Sequence, residues 1–390
     1  KRLLDILKME FEIRDADIYS INGPLDLTML MKVYGIDGYD QFKEPKYKPA
    51  AVPAFQNDKD IFQVIREGDV FLHHPYMSFD PVVDFVRQAA KDAIDDAVHY
   101  PDPFCEALKQ AIAEKEGVPA EWIFCGNGAA DVIFTLMLAE KPKEALLPIP
   151  SFYEYRHALE SVACQIRTHL LLPEHQFCVQ RDILEALKKR PDLLILCNPN
   201  NPTGQLLDQE LSEEIAVQCQ RQGTRLLMDE CFSDFLEDAE KHTLLSKVAE
   251  NPQIFILRAF TKMYGMAGLR LGYGICSDVA LIRRMEAVSQ PWNVSVPAQA
   301  AGIAAVKETA FVEKSRALIA EQKAYLLEGL QKAGVKVFGS AANYIFFRAE
   351  EGLEKAMREA GFLIRDCGNF DGLTEGYYRI AVRGREENEK

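Results

Sequence analysis

The chain has 390 residues, 48% of them hydrophobic and 27% charged, with a formal net charge of −14. A chain of this length suits about two to three domains, and its apolar content supports large cores, which excludes wholesale disorder. The acidic balance argues against a dominant nucleic-acid or anionic-membrane surface, while leaving room for a local basic pocket that takes phosphate.

The absence of a run of about 18 apolar residues predicts no transmembrane helix. The start, Lys1-Arg2-Leu3-Leu4-Asp5, has no signal-peptide core. Nine cysteines, all after residue 104, are scattered without a C-x-x-C pair. That pattern predicts reduced thiols in a cytoplasmic protein and no zinc or other metal site, since metal ligands cluster.

In chain order, residues 1–92 read as mixed structure. A turn at Ile21–Leu27 leads into a helix over Leu27–Val33, and Pro45, Pro49 and Pro53 mark a loop. Asp69–Tyr76 reads as a strand carrying His73 and His74, and Pro81–Ala90 as a helix capped by Ser78 or Asp80. The His pair suits a metal or phosphoryl site, or equally two polar residues at a strand end, where neighbours face opposite ways.

After about residue 93, helices alternate with short apolar strands, the rhythm of a mainly parallel sheet. Phe104–Glu116 reads as a helix closed by Gly117. Trp122–Cys125 reads as a strand feeding Gly126-Asn-Gly128-Ala129-Ala130-Asp131 and a helix over Val132–Glu140. A glycine loop at a helix start exposes N–H groups and the positive end of the dipole, so it suits an anion. Strands follow at Ala145–Pro148, Leu193–Cys197, Thr224–Met228 and Ile254–Leu257. Just beyond their ends lie Phe152 and Tyr155, able to stack on a flat ring or to pack in the core. Asn201 lies in an Asn/Pro turn, Asp229 needs a partner if buried, and Lys262 and Arg270 follow the last strand. A lysine at the mouth of a buried strand is desolvated, which lowers its pKa and makes its amine a nucleophile toward a carbonyl. The plainer alternative is a snorkelling lysine before a glycine turn. Polar functions this varied at one sheet edge describe a pocket for a phosphorylated aromatic aldehyde. Residues 291–390 read as a smaller α+β region. There Arg365 and Arg379, each at a short strand, suit carboxylate or phosphate, or are solvated charges.

Two resemblances cover the chain. "INGPLDLTMLMKVYGIDGYD" and "FLHHPYMSFDPVVDFVRQAAKD" resemble a stretch of bacterial polyphosphate kinase, which implies that residues 1–92 are a fragment lacking that family's phosphohistidine segment. From about residue 93, "HYPDP", "GNGAAD", "NPNNPTG", "DECFSDF", "FTKMYGMAGLRLGY" and "RIAVRGREEN" resemble the class I/II aminotransferase family of fold-type-I pyridoxal-phosphate enzymes. The threonine-phosphate decarboxylase branch is the nearer, with the histidinol-phosphate aminotransferases as cousins. The implied domains are a pyridoxal-phosphate-binding large domain over 93–290 and a small domain over 291–390.

The resemblance implies pyridoxal 5′-phosphate as cofactor, with Lys262 as the Schiff-base residue and Asp229 as partner of the pyridine nitrogen. It implies Asn201 on the ring hydroxyl and Phe152 stacked on the ring. Gly128, Ala129, Ala130, Thr261 and Arg270 would hold the cofactor phosphate, with Tyr100 reaching it from a neighbouring subunit of a homodimer. Arg379 would clamp a substrate carboxylate and Arg365 a substrate phosphate. The implied reaction is decarboxylation of a phosphorylated amino acid, L-threonine O-3-phosphate, giving (R)-1-aminopropan-2-yl phosphate for the cobalamin side chain. Transamination of the histidinol-phosphate type is one alternative, and a defective fused chain with an interaction segment is another. Four departures from the family pattern stand out: Phe232 where a tyrosine is usual, Ala259 where a serine is usual, kinase-like sequence in place of the N-terminal arm, and the helix after "REEN" cut short.

Overall fold

The computed structural model describes residues 70–71 and 82–389. The helix expected over Leu27–Val33, the proline-rich loop, His73 and His74 lie outside the described residues. One compact unit begins at Arg66 and runs to the end of the chain, so it starts ahead of the change of character at residue 93.

Within that unit the elements are β1 (Val70–Phe71), α1 (Val82–Asp92), α2 (Glu106–Glu116), β2 (Ile123–Gly126), α3 (Ala129–Glu140), β3 (Glu144–Ile149), α4 (Glu154–Ser161), β4 (Gln165–Leu170), α5 (Ile183–Leu187) and β5 (Leu193–Cys197). Then come α6 (Gln209–Gln222), β6 (Arg225–Asp229), β7 (Ile254–Ala259), β8 (Gly272–Ile275), α7 (Val279–Val288), α8 (Val296–Ala305) and α9 (Thr309–Lys332). The chain closes with β9 (Lys336–Gly339), β10 (Tyr344–Arg348), α10 (Leu353–Glu359), β11 (Phe362–Leu363), β12 (Arg365–Asp366), β13 (Tyr377–Ala381) and α11 (Arg385–Glu389).

Local chemistry sets many of these boundaries. Asp208, Asp278 and Ser295 each accept a hydrogen bond from the backbone N–H three residues on, which starts α6, α7 and α8. Gly117 and Gly223 take left-handed conformations that end α2 and α6. Helix α1 packs on α8, whose Ala298, Ala301, Gly302 and Ala305 are buried. A side chain at Gly302 would run into Leu271 and Leu108, so the close approach requires glycine.

The large sheet has the order β2-β8-β7-β6-β5-β3-β4. Its strands are parallel except β8, which is antiparallel to both β2 and β7. Strands β5, β6 and β7 are buried along nearly their whole length, as a sheet covered on both faces requires. The small sheet, β12-β13-β10-β9, is antiparallel, and β1 pairs in parallel with β11. The α/β architecture with a smaller α+β part therefore holds. Edge strand β4 was not foreseen, because Gln165, Arg167 and His169 alternate on a half-exposed edge and read as loop. The run Phe362–Arg365, expected as one strand, divides into β11 and β12, which pair with different partners. Among the described residues no helix is long and apolar enough to cross a membrane.

A buried ionic network braces the active edge of the large sheet. Arg258 on β7 donates to Glu116 on α2 (2.9 Å) and to Glu230 just past β6 (2.8 Å), and Tyr273 on β8 donates to Glu116 (2.6 Å). The Glu230 side chain is fully buried and also takes hydrogen bonds from Thr243 and the Leu244 N–H. Removing the cation leaves the buried Glu230 with no charge partner and Glu116 with only Lys115, at 3.8 Å, so Arg258→Met is expected to cost about 3–5 kcal/mol. Urea unfolding monitored by circular dichroism measures that loss.

Candidate active site

The ends of β5, β6 and β7 and the starts of β8 and α3 come together at one edge of the large sheet. Cys197 is the register partner of Asp229, Asp229 that of Leu257, and Gly272 that of both Gly126 and Ala259. Sheets of this kind place ligands at the carboxyl ends of their strands.

Gly128 caps α3 with φ +90°, a conformation glycine adopts without strain. A Cβ at Gly128 would sit 2.5 Å from the Arg270 guanidinium, and one at Gly272 would sit 2.5 Å from the Ala129 nitrogen. Two glycines thus let the α3 N-terminus, β8 and Arg270 close on one small volume. Asp131, which the sequence reading did not single out, fixes this loop by accepting from Asn127 N–H and from Asn293 Nδ2, both at 2.8 Å. Thr261 is buried just past β7. Free N–H groups at a 12-residue helix start, a guanidinium and a hydroxyl form a donor set that fits a phosphate.

Asp229 is buried at the end of β6. Tyr155 Oη donates to its Oδ2 at 2.5 Å and Cys231 N–H to its Oδ1 at 2.9 Å. Burial pushes the Asp229 carboxyl up, against the charge-favouring hydrogen bonds from Cys231 and Tyr155. A buried carboxyl held this way fits a cationic ring nitrogen. Phe152 meets Tyr155 edge-on, with ring centroids 5.5 Å apart. Of the two aromatic stacking candidates, then, Tyr155 turns its edge and hydroxyl to Asp229 instead. Its chemistry is legible only from the pairing of α4 with β6. Tyr155→Phe removes a hydrogen bond to a charged group, worth about 1.5–3 kcal/mol. Equilibrium titration with pyridoxal phosphate is expected to show the corresponding loss of at least about tenfold in affinity.

The Asn/Pro turn is pinned from three sides. Asn198 Nδ2 donates to the His242 carbonyl (2.8 Å), Asn200 Nδ2 to Pro150 (3.0 Å), and Tyr344 Oη to the Asn200 carbonyl (2.7 Å). This leaves Asn201 Oδ1 accepting from Arg379 Nη1. Arg379 is buried on β13, with its guanidinium 5.2 Å from the Tyr344 ring. Arg365 on β12 is its direct cross-strand partner. Arg365 also donates to Asn369 Oδ1 (3.2 Å) and lies over the Phe370 ring.

Lys262 sits among these groups, its Nζ 5.4 Å from the Phe232 ring. Burial pushes its ammonium down to about 8. The Arg379 and Arg270 charges act in the same direction, while Cys231 and Asp229 oppose them. The structure thus brings Gly128, Ala129 and Arg270 together. Lys262 lies within electrostatic reach of Arg270, Asp229 and Arg379, with Asn201 bonded to Arg379 and Arg365 opposite it. Tyr100 stands apart: it is exposed, and its ring lies tilted against Trp292 with centroids 4.7 Å apart.

A mainly parallel sheet with this lysine, aspartate and anion loop at one edge defines a fold-type-I pyridoxal-phosphate enzyme, and the chain belongs to the aminotransferase class I and II family, whose model matches residues 74–390. It is 37% identical over 309 residues to a threonine-phosphate decarboxylase of Salmonella typhimurium, covering 78% of this chain and 84% of that one. It is 33% identical over 313 residues to a histidinol-phosphate aminotransferase of Moorella thermoacetica, covering 77% and 78%. Among solved structures, the histidinol-phosphate aminotransferase of Clostridium acetobutylicum is similar with a TM-score of 0.77 at 25% identity, covering 82% of this chain and 96% of that one.

Proposed function

We propose that the chain is a pyridoxal-phosphate lyase that removes the carboxylate of a phosphorylated amino acid, with L-threonine O-3-phosphate as substrate. The observation that carries this reading is the pairing of Arg365 with Arg379 on adjacent strands. Like charges directly opposite in a sheet are destabilising, and a substrate bearing two anionic groups relieves that repulsion. Threonine phosphate brings a carboxylate and a phosphate in one molecule, the two kinds of anion that arginine forks suit.

In this reading Lys262 is the amine that bonds the cofactor. Asp229 holds a proton at the ring nitrogen, Asn201 meets the ring hydroxyl and Phe152 lies against the ring. Gly128, Ala129, Ala130, Thr261 and Arg270 seat the cofactor phosphate. When bound, pyridoxal phosphate supplies an aldehyde for the substrate amine and an electron sink for the bond that breaks at the substrate's α-carbon. Arg379 would bind the carboxylate and Arg365 the phosphate, and holding the substrate at both ends would set which α-carbon bond breaks. Carbon dioxide leaves, and the Lys262 ammonium delivers a proton to the α-carbon. Phe232 packs edge-on to Tyr344 (5.1 Å between centroids), where a hydroxyl would add a polar contact.

The functional unit in this proposal is a homodimer. Ile94, Val98, Tyr100, Phe104 and Trp292 are exposed hydrophobic side chains. A second copy covering them carries Tyr100 to the neighbouring cofactor phosphate. A kinase-like segment ahead of residue 74, where the family match begins, is part of the same proposal.

Incubation with threonine phosphate tests the reaction. Release of carbon dioxide with aminopropanol phosphate is expected. With 2-oxoglutarate added as acceptor, formation of glutamate without carbon dioxide would assign the chain to the aminotransferase side instead.

A further inference from the structure

Helix α4 makes polar contacts from two consecutive residues, and they run to different parts of the molecule. Tyr155 donates to Asp229 at the end of β6, on the cofactor's side of the site. Arg156 Nε donates to Asp371 Oδ2 at 2.5 Å, across 215 residues, in the loop between β12 and β13. Adjacent residues on a helix point about 100° apart, so one short helix holds both partners at once. Glu160, one turn on, lies 3.6 Å from Arg156 Nη1 and adds a second carboxylate to the same guanidinium.

The loop that carries Asp371 lies against the large sheet. A Cβ at Gly372 (φ +84°) would sit 3.0 Å from Leu170 Cδ1 and 3.5 Å from the Ile149 carbonyl carbon, so the loop passes over the carboxyl ends of β3 and β4. Phe370 is buried in an apolar cluster with Leu171, which follows β4, and with Phe346 and Tyr377 of the small sheet. The two residues ahead of Asp371 are ones that Arg365 touches. Its guanidinium donates to Asn369 Oδ1 at 3.2 Å and lies 5.4 Å from the centre of the Phe370 ring. The placement of Arg365 therefore follows the placement of residues 369–371. The buried ring sets how deep the loop sits, and the ion pair beside it sets how the loop turns.

We infer that Arg156 and Asp371 are a positioning pair: their contact holds the loop between β12 and β13 on the large sheet and so aims Arg365 at the phosphate of the substrate. The two side chains are 25% and 44% exposed, so the pair adds little to global stability. Its effect is local, on one loop and on the arginine that the loop steers. The aim at the phosphate rests on the reading of Arg365 as the phosphate's partner; the tie between α4 and the loop does not.

The test uses the full chain loaded with pyridoxal phosphate. Hydrogen–deuterium exchange follows the backbone of residues 367–373. Calorimetric titration with aminopropanol phosphate, the product of the proposed reaction, reads the phosphate end alone, since this ligand has no carboxylate to lose. Arg156→Gln and Asp371→Asn are each expected to speed exchange in the loop severalfold and to weaken the ligand about threefold, the scale of one part-exposed ion pair. The double variant is expected to lose no more than either single one, because both remove the same contact. Arg156→Lys, which keeps the charge, is expected to recover part of the loss. Pyridoxal-phosphate affinity is expected to stay at the wild-type value throughout, which a general loosening of α4 would not allow, since Tyr155 is on the same helix. Unchanged exchange in both single variants overturns the pair. Faster exchange with unchanged ligand affinity, where Arg365→Gln does weaken the ligand, upholds the tie and overturns its link to Arg365. An Arg365→Gln variant that binds aminopropanol phosphate as the wild type does overturns the phosphate reading of Arg365 and the aim built on it, and the exchange result alone then decides the tie.

Discussion

Lys262→Ala is expected to abolish turnover, by at least about 10³-fold, because in the proposed mechanism one change removes both the cofactor's covalent anchor and the proton carrier at the α-carbon. Borohydride reduction of the loaded wild-type protein should fix cofactor mass to the peptide bearing Lys262, and the variant should show no such adduct while keeping its circular dichroism. Activity within tenfold of wild type would remove Lys262 from the mechanism. The same residue predicts a pH dependence. Its ammonium is pushed down to about 8 by burial and by Arg379, so the neutral amine at neutral pH is roughly a tenth of the population, far more than for a solvated lysine near 10.4. The rate at which the apo-protein takes up pyridoxal phosphate should rise with pH about a midpoint near 8. For stability the sign follows from proton counting. Between about pH 8 and pH 10 the unfolded chain holds a proton at this lysine that the folded chain has released, so this group makes stability rise with pH across that window. Lys262→Met should remove that rise in urea titrations at a series of pH values.

Asp229→Asn should lower kcat by about 10²–10³, the scale seen when one preorganised electrostatic partner is lost from a site. The amide keeps the shape of the side chain, with its oxygen accepting from Cys231 N–H and its nitrogen donating to Tyr155 Oη, so the fold should survive. It also relieves a carboxyl that burial pushes up, and the melting temperature of the apo-protein should be unchanged or higher. A merely structural aspartate behaves in the opposite way, with stability falling and activity per folded molecule preserved. Measuring kcat, cofactor affinity and the apo-protein melting temperature together separates the two roles.

Much of the site was legible because it is written in short, local signals. The apolar run Ile254–Leu257 marks a buried strand whatever surrounds it, and Lys262 follows at fixed distance. The glycine loop before α3 declares an anion seat, since only glycine takes φ +90° without strain at Gly128. Gly117 and Gly223 end their helices where the sequence places them. Other parts were illegible for equally physical reasons. Edge strand β4 carries polar residues because half of it faces water, so its pattern resembles loop. The role of Tyr155 depends on α4 lying against the end of β6, a contact across 74 residues. Asp131 and Asn293 meet across 162 residues to hold the loop, and no spacing rule connects them.

The sequence by itself determined the family, the cofactor and the set of residues at the sheet edge, because glycine, proline, strand-end lysine and strand-end aspartate carry their meaning in their immediate neighbours. The tertiary structure decided which of these groups act on one another. It set Arg365 opposite Arg379, delivered the Tyr155 hydroxyl to Asp229, and surrounded Lys262 with two arginines that lower its pKa. Those pairings arise from strand register and helix packing, which depend on the whole core and not on any one stretch of chain.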